Sequence, residues 1–157
     1  MNNLNSNWTL YFHKLYDQNW DFNSYMKLIT FNNLEDYILI SNILKHNHIE
    51  NGMFFIMREN IKPVWEAEEN KKGGCISFKI FKKSIYSSWN QLTSFLIGEK
   101  ILKNEKDYHN INGISISPKK HFSIIKIWIK TPDINNTDSL NKMNLFNYKE
   151  AIYKLHN

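Results

Sequence analysis

Trp65 is followed at once by Glu66 in the stretch Ile61 to Gly74, which carries Pro63 near one end and Gly73-Gly74 at the other. Such punctuation places both side chains on a loop. An indole offers a π-face for stacking, and a neighbouring carboxylate can accept two hydrogen bonds from a donor edge such as N1 and N2 of guanine. The chemistry available to the pair is therefore recognition of a flat, nitrogen-rich ligand; the plainer reading is a half-buried Trp beside a solvated acid. Trp20, delivered by the polar turn Asp17-Gln18-Asn19 and followed by Asp21, is a second aromatic at a loop tip and a candidate for ligand contact.

The residues around these positions resemble the eukaryotic translation initiation factor 4E family, which binds the 7-methylguanosine cap of messenger RNA. Pro-Val-Trp-Glu (63–66), a short charged run, then Asn-Lys-Lys-Gly-Gly (70–74) is similar to that family's signature. Asn7 to Phe12 looks like its opening strand, and Trp20 falls where its first stacking Trp is expected. Leu34-Glu35-Asp36-Tyr37 resembles its first helix, and Trp89 with Leu96-Ile97-Gly98-Glu99 its second. Gly113 to Trp128 can be laid on the corresponding strands without a gap.

The resemblance implies that Trp20 and Trp65 sandwich the methylated base, whose delocalised positive charge adds cation-π attraction to stacking. Glu66 would accept from the guanine N1 and N2 donors, and Trp128 would pack against the methyl group. Two stacks at about 1 to 3 kcal/mol each, with a charge-assisted pair at about 1.5 to 3, sum to roughly 4 to 9 kcal/mol before the cost of association. A methylated nucleoside alone is then expected to bind no better than roughly micromolar, so phosphate contacts must supply the rest.

Departures from the family pattern fall on those contacts. Cys75 stands where a phosphate-directed Arg is expected and Ile124 where a Lys is expected, while Lys119 keeps the other basic position. The expectation is a phosphate leg rewired around Lys119 and Lys126, with Lys120 near. On the convex back, where the family receives a scaffold or repressor helix, Ile38 replaces the key Trp, and Asn90, Gln91 and Ser94 replace Leu, Glu and Leu. Asn2-Asn3 replaces a His-Pro pair, and only Leu34 and Ile97 keep the expected character. Weak binding of an ordinary 4G-type scaffold peptide is expected, with room for a dedicated partner. Without a partner such a protein would sequester caps and repress translation.

The elements that must position these residues fit one domain over residues 1–157, long enough for a core without metal or disulfide staples. Cys75 is the single cysteine, which excludes an internal disulfide and multi-cysteine zinc sites. The formal charge of +5 suits an RNA-end or polyphosphate ligand, and equally suits mere solubility. Abundant Asn, Lys and Ile, with Arg58 the only arginine, suggest an AT-rich genome such as that of a virus or a protist. No leader or membrane-spanning run is read, so a cytoplasmic monomer without cofactors is the expectation. Two other classes stay open. Glu66, Glu68 and Glu69 could collect Mg2+ in a cap or nucleotide hydrolase, although no Walker loop or His-Glu-x-x-His accompanies them and an enzyme is not expected. A protein-interaction module that has lost its ligand is the other.

Alternation predicts strands over Trp8–Leu15, Tyr25–Phe31, Met53–Arg58, Gly74–Phe81, Gly113–Ser117 and Phe122–Lys130. A helix from Leu34 to about His46, capped by Asn32 or Asn33, would bury Tyr37, Ile40, Ile43 and Leu44. A second, capped by Ser84 or Ser87, would bury Trp89, Leu92 and Leu96. Lys100–Asn112 reads as a polar surface loop, Asp138–Asn147 as a short helix and Tyr148–His156 as an edge strand. On Phe122–Lys130, the face carrying Ile124, Lys126, Trp128 and Lys130 reads as an open concave surface, since burying a Trp between lysines is costly. The fold class is α+β: a curved antiparallel sheet with about three helices on its convex face.

Overall fold

Ile76, Phe78 and Ile80 alternate on one face of β4 (Gly74–Phe81), and Ile125, Ile127 and Ile129 on the same face of its neighbour β6 (Phe122–Ile129). In the computed structural model, which describes residues 1–156, these side chains are buried in one core with α3 (Ile85–Ile97). The helix meets them with Ile85, Trp89, Leu92 and Leu96, the stripe a 3.6-residue period requires. Five further strands complete an all-antiparallel, curved sheet: β1 (Asn3–His13), β2 (Met26–Asn33), β3 (Met53–Arg58), β5 (Ile111–Pro118) and β7 (Ile152–Leu155). Their order is β2-β1-β3-β5-β6-β4-β7. The α+β class and the helix-backed sheet are as expected. No helix among the described residues is long and apolar enough to cross a membrane.

Several local expectations are corrected. The helix expected over Leu34–His46 breaks at Leu44 and Lys45, both extended, into α1 (Leu34–Ile43) and α2 (His46–Glu50). The break turns Ile49 into the core and leaves Ile43 63% exposed instead of buried. Of the two capping candidates Asn33 caps α1, as one of the expected alternatives, its side chain accepting from the Asp36 amide at 2.8 Å. Ser84 precedes α3 but makes no capping bond.

Both faces of β1 are covered. Tyr11 and His13 are buried where the segment between β1 and β2 folds back, bringing Phe22 to Tyr11 and Trp20 to His13, and Thr9 is buried with its hydroxyl 2.9 Å from that of Thr30. The stretch Lys100–Asn112 is no mere surface loop: Ile101, Leu102, Ile111 and Asn112 are buried around a 3-10 turn, Glu105–Asn110. Nor is Asp138–Asn147 a helix. Leu140, Met143 and Phe146, spaced as on a helix, reach the core from an irregular path. That path is held by Asn141, whose side chain donates to the carbonyls of Lys100 and Leu102, and by the Tyr148 hydroxyl, which donates to the Asn141 carbonyl.

Arg58 ends β3 inside the protein. Its guanidinium lies 4.5 Å from the Trp8 ring, donates to the Ile111 carbonyl at 2.9 Å, and makes a two-pronged pair with Glu99 at 2.5 and 2.8 Å. The arrangement satisfies a buried charge that would otherwise be costly.

Candidate functional site

The concave face of the sheet holds a cavity of about 480 Å3. Trp20, Trp65, Glu66 and Trp128, separated by as many as 108 positions of sequence, all line it, together with Lys119, Ile124 and Lys126. Trp20 and Trp65 are 48% and 50% exposed, so each indole presents a free surface to a ligand.

Trp20 is fixed from behind. His13, the last residue of β1, lies parallel to its indole, ring centres 4.2 Å apart and planes 6° apart. The imidazole nitrogens stand 2.8 Å from the carbonyl oxygens of Lys14 and Asn19, and the nitrogen that carries the proton donates to the carbonyl it faces. Tyr25 packs against the same imidazole at 4.8 Å and against Phe55 at 5.3 Å. Burial, with the Glu66 charge adding to it, pushes the Tyr25 phenol up to about 12, which keeps it a neutral donor beside the cavity.

The loop carrying Trp65 and Glu66 is organised by Asn70, which is fully buried. Its amide donates to the carbonyls of Lys62 and Val64 at 3.0 and 2.9 Å, tying the two sides of the loop ahead of Trp65, while its oxygen accepts from Asn112 at 2.9 Å. Asn112 also donates to the Glu69 carbonyl at 2.7 Å. Gly73 lies against the backbone of Ile129 and Lys130, and Gly74 against that of Lys154, so a Cβ at either position would force β6 or β7 away.

The floor differs from the expected open surface. Trp128 is only 7% exposed; its Nε1 donates to Ser115 Oγ at 3.0 Å, and it joins Tyr11, Phe55, Met57, Ile61 and Cys75 in a second apolar cluster. Lys126 and Lys130 stay exposed while Trp128 between them is buried, so no lysine charge is desolvated, and Ser115 satisfies the indole N–H. Lys126, by contrast, is exposed on this face.

Beside Trp128, Cys75 Sγ lies 3.1 Å from His156 Nε2, and His156 Nδ1 donates to the Asn70 carbonyl at 2.7 Å. Burial pushes the Cys75 thiol up to about 12, against the opposing effect of Lys126, and holds the His156 imidazole below its usual value. Both are therefore neutral, with the thiol donating to Nε2; this is a structural contact and not an activated nucleophile. Lys120 lies outside the cavity, in an adjoining depression that it lines with Lys119, Lys82 and Tyr16. Of the three acids considered for a metal, Glu68 turns outward to Lys71 at 2.7 Å, which lowers its pKa, so the trio does not converge on one point.

Compared with known protein families, residues 3–156 match the model described as Eukaryotic initiation factor 4E. The chain belongs to the eukaryotic initiation factor 4E family. Among curated relatives, it is 33% identical over 140 residues to eukaryotic translation initiation factor 4E of Candida albicans, covering 83% of this chain and 65% of that protein. It is 25% identical over 138 residues to an initiation factor 4E homolog of Acanthamoeba polyphaga mimivirus, covering 73% and 50%. The chain thus spans about half to two thirds of these relatives' length.

Solved structures give the same fold. Ascaris suum eIF4E-3, in complex with an m7G cap, superposes with a TM-score of 0.74 at 21% identity, covering 83% of this chain and 74% of that one. Schistosome eIF4E, complexed with m7GpppG and 4E-BP, has a TM-score of 0.74 at 20% identity, covering 85% and 74%.

The 4E-like convex back is only partly a free surface. Leu34 and Ile38 on α1 are exposed, as are Leu39 and Ile43. Ser94 is exposed and Asn90 half-buried. Gln91 is engaged with the tail, donating to Asn144 at 2.6 Å and accepting from the Leu145 amide at 3.2 Å. Ile97 is 6% exposed and lies in the core, so it offers a partner almost nothing.

Sequence reading missed Tyr25, Phe55, His13, Asn70 and Asn112. Face parity could have found His13 and Phe55, since Tyr11 and His13 share a side of β1 and pair with Phe55 and Met53 of β3. A buried Asn inside a polar loop carries no comparable signal.

Proposed function

We propose that this protein binds the 7-methylguanosine 5′ cap of messenger RNA and acts in translation initiation, as a binding protein and not an enzyme. The observation that carries this reading is the convergence of Trp20, Trp65, Glu66 and Trp128 on one cavity. Trp20 and Trp65 sandwich the cationic base, Glu66 accepts from its N1 and N2 donors, and Trp128 forms the floor against which the methyl group packs. Lys119 and Lys126 take the phosphates, since Ile124 contributes none and Cys75 is buried and neutral. The capped-message role places the protein in the cytoplasm.

The convex back decides whether a bound cap is passed to a partner. Exposed apolar residues of α1 suit a helical partner, whereas Gln91 and Ile97 are already engaged. We infer that an ordinary scaffold peptide binds weakly and that a dedicated scaffold binds α1. Lacking one, the protein sequesters caps.

Retention on immobilised 7-methyl-GTP tests the cap reading. Release by free 7-methyl-GTP, at concentrations where GTP releases nothing, is the expected result. Failure to be retained, or equal release by both nucleotides, overturns it.

A further inference from the structure

The strands β4 and β6 run on past the cap cavity. On β6 the concave face presents Trp128, Lys126, Ile124 and Phe122 in turn, about 7 Å from one to the next. Cross-strand pairing sets Ser77 beside Lys126, Lys79 beside Ile124 and Phe81 beside Phe122. Lys126 and Ile124 line the cavity, so Phe81 and Phe122 continue the same face outward, ending about 20 Å from Trp128.

Phe81 is 63% exposed, whereas its neighbour Ile80 is buried on the other face. The core therefore makes no use of Phe81. Phe122 is half-buried, and the Lys79 ammonium stands 4.5 Å from the centre of its ring. Further lysines surround the pair. The Lys119 amide donates to the Phe122 carbonyl at 2.7 Å, closing the turn between β5 and β6, and Lys82 follows Phe81 directly. Lys82, Lys119 and Lys120 line one depression at this end of the sheet, where Glu50 is the one carboxylate among the described residues. On β4 and β6 the concave face carries Lys79 and Lys126 and no acid among the described residues.

Rings interleaved with ammonium groups suit single-stranded nucleic acid, because any base can stack on a ring while lysines neutralise the phosphates. An apolar protein surface would have to desolvate Lys79 to reach the same rings. We propose that Phe81, Phe122 and Lys79 form a stacking platform for the body of the RNA, holding nucleotides well downstream of the one that adjoins the cap and without regard to base identity. The proposal rests on the cap reading above, and continuity of this face with the cap cavity selects RNA as the occupant.

The test compares 7-methyl-GpppA with the same cap on an RNA of about ten nucleotides, for the parent, Phe81→Ala, Phe81→Trp and Lys79→Ala. The parent is expected to bind the longer RNA about five- to tenfold more tightly than 7-methyl-GpppA. Phe81→Ala abolishes most of that gain, and Phe81→Trp keeps it. Lys79→Ala lowers the salt slope for the longer RNA by about 0.7. None of the three changes the affinity for 7-methyl-GpppA. Equal affinity of the parent for both lengths overturns the platform, leaves Phe81 to a protein partner and leaves the cap pocket standing; so does a gain that survives Phe81→Ala. Absence of a preference for 7-methyl-GTP over GTP in the parent overturns the cap reading itself.

Discussion

The imidazole of His13 lies 4.2 Å beneath the indole of Trp20, with the two planes 6° apart, and its nitrogens each face a backbone carbonyl at 2.8 Å. A sandwich needs its outer slice in place before the ligand arrives, or ordering that side chain costs about 0.5 to 1.5 kcal/mol on binding. His13→Ala is therefore expected to weaken 7-methyl-GTP binding about three- to tenfold and, because the ring is fully buried, to lower Tm as well. His13→Phe, which keeps a flat ring under Trp20, recovers most of it. Titration calorimetry on the three proteins checks this; an unchanged affinity in His13→Ala means that Trp20 is positioned by something else.

Asn70 supports the opposite wall. Asn70→Ala strips the carbonyls of Lys62 and Val64 of their donor and leaves Asn112 short of an acceptor. A loss of about 2 to 3 kcal/mol in urea unfolding is expected, together with a larger fall in cap affinity than Tm alone predicts. Stability within about 0.5 kcal/mol of the parent contradicts the assignment of Asn70 as the loop's hub.

The phosphate leg is testable in both directions. Lys126→Ala is expected to reduce triphosphate-cap affinity about five- to tenfold and the salt slope by about 0.7. Ile124→Lys, which adds a cation to a residue already lining the cavity, raises affinity by a similar factor and steepens the slope. Indifference of both affinity and slope to Lys126→Ala would place the phosphates elsewhere.

His156 gives stability a pH dependence. Burial holds its imidazole neutral in the folded protein, opposed by the bond to the Asn70 carbonyl and the Glu66 charge and reinforced by Lys126 and Lys154. The unfolded chain protonates near the ordinary value of 6.5, so below it the unfolded state binds more protons and stability falls with pH. Thermal unfolding between pH 7.5 and 5 is expected to show a shallower decline in His156→Gln than in the parent. Parallel declines would mean that His156 contributes nothing to the slope.

Much of this architecture was legible in the chain. The strands β3 and β4 were placed to the residue because Met53–Arg58 and Gly74–Phe81 are bounded by glycine or charged turn residues and alternate cleanly. Trp20, Trp65 and Glu66 were legible as an unusual pairing of aromatic and acid in turn-rich sequence, and the family resemblance brought Trp128 to the same site. What failed has a common physical cause. Leu140, Met143 and Phe146 repeat every three residues, as on a helix, yet polar side chains such as Asn141 satisfy the backbone in place of helical bonds. Ile101, Leu102, Ile111 and Asn112 sit among charged residues, so their burial depends on what the fold brings to them. Asn70 acts through backbone carbonyls, which no side-chain pattern reports.

Intrinsic tryptophan fluorescence, titrated with 7-methyl-GTP and with GTP on the parent, Trp20→Ala and Glu66→Ala, is the most direct measurement of the cap pocket. Quenching of the parent by the methylated nucleotide alone, weakened at least tenfold in both variants while their folding is intact, is the predicted result. Equal and weak quenching by both nucleotides, or a parent-like response in Glu66→Ala, would contradict recognition of the guanine edge and mean that the fold has been kept for another ligand.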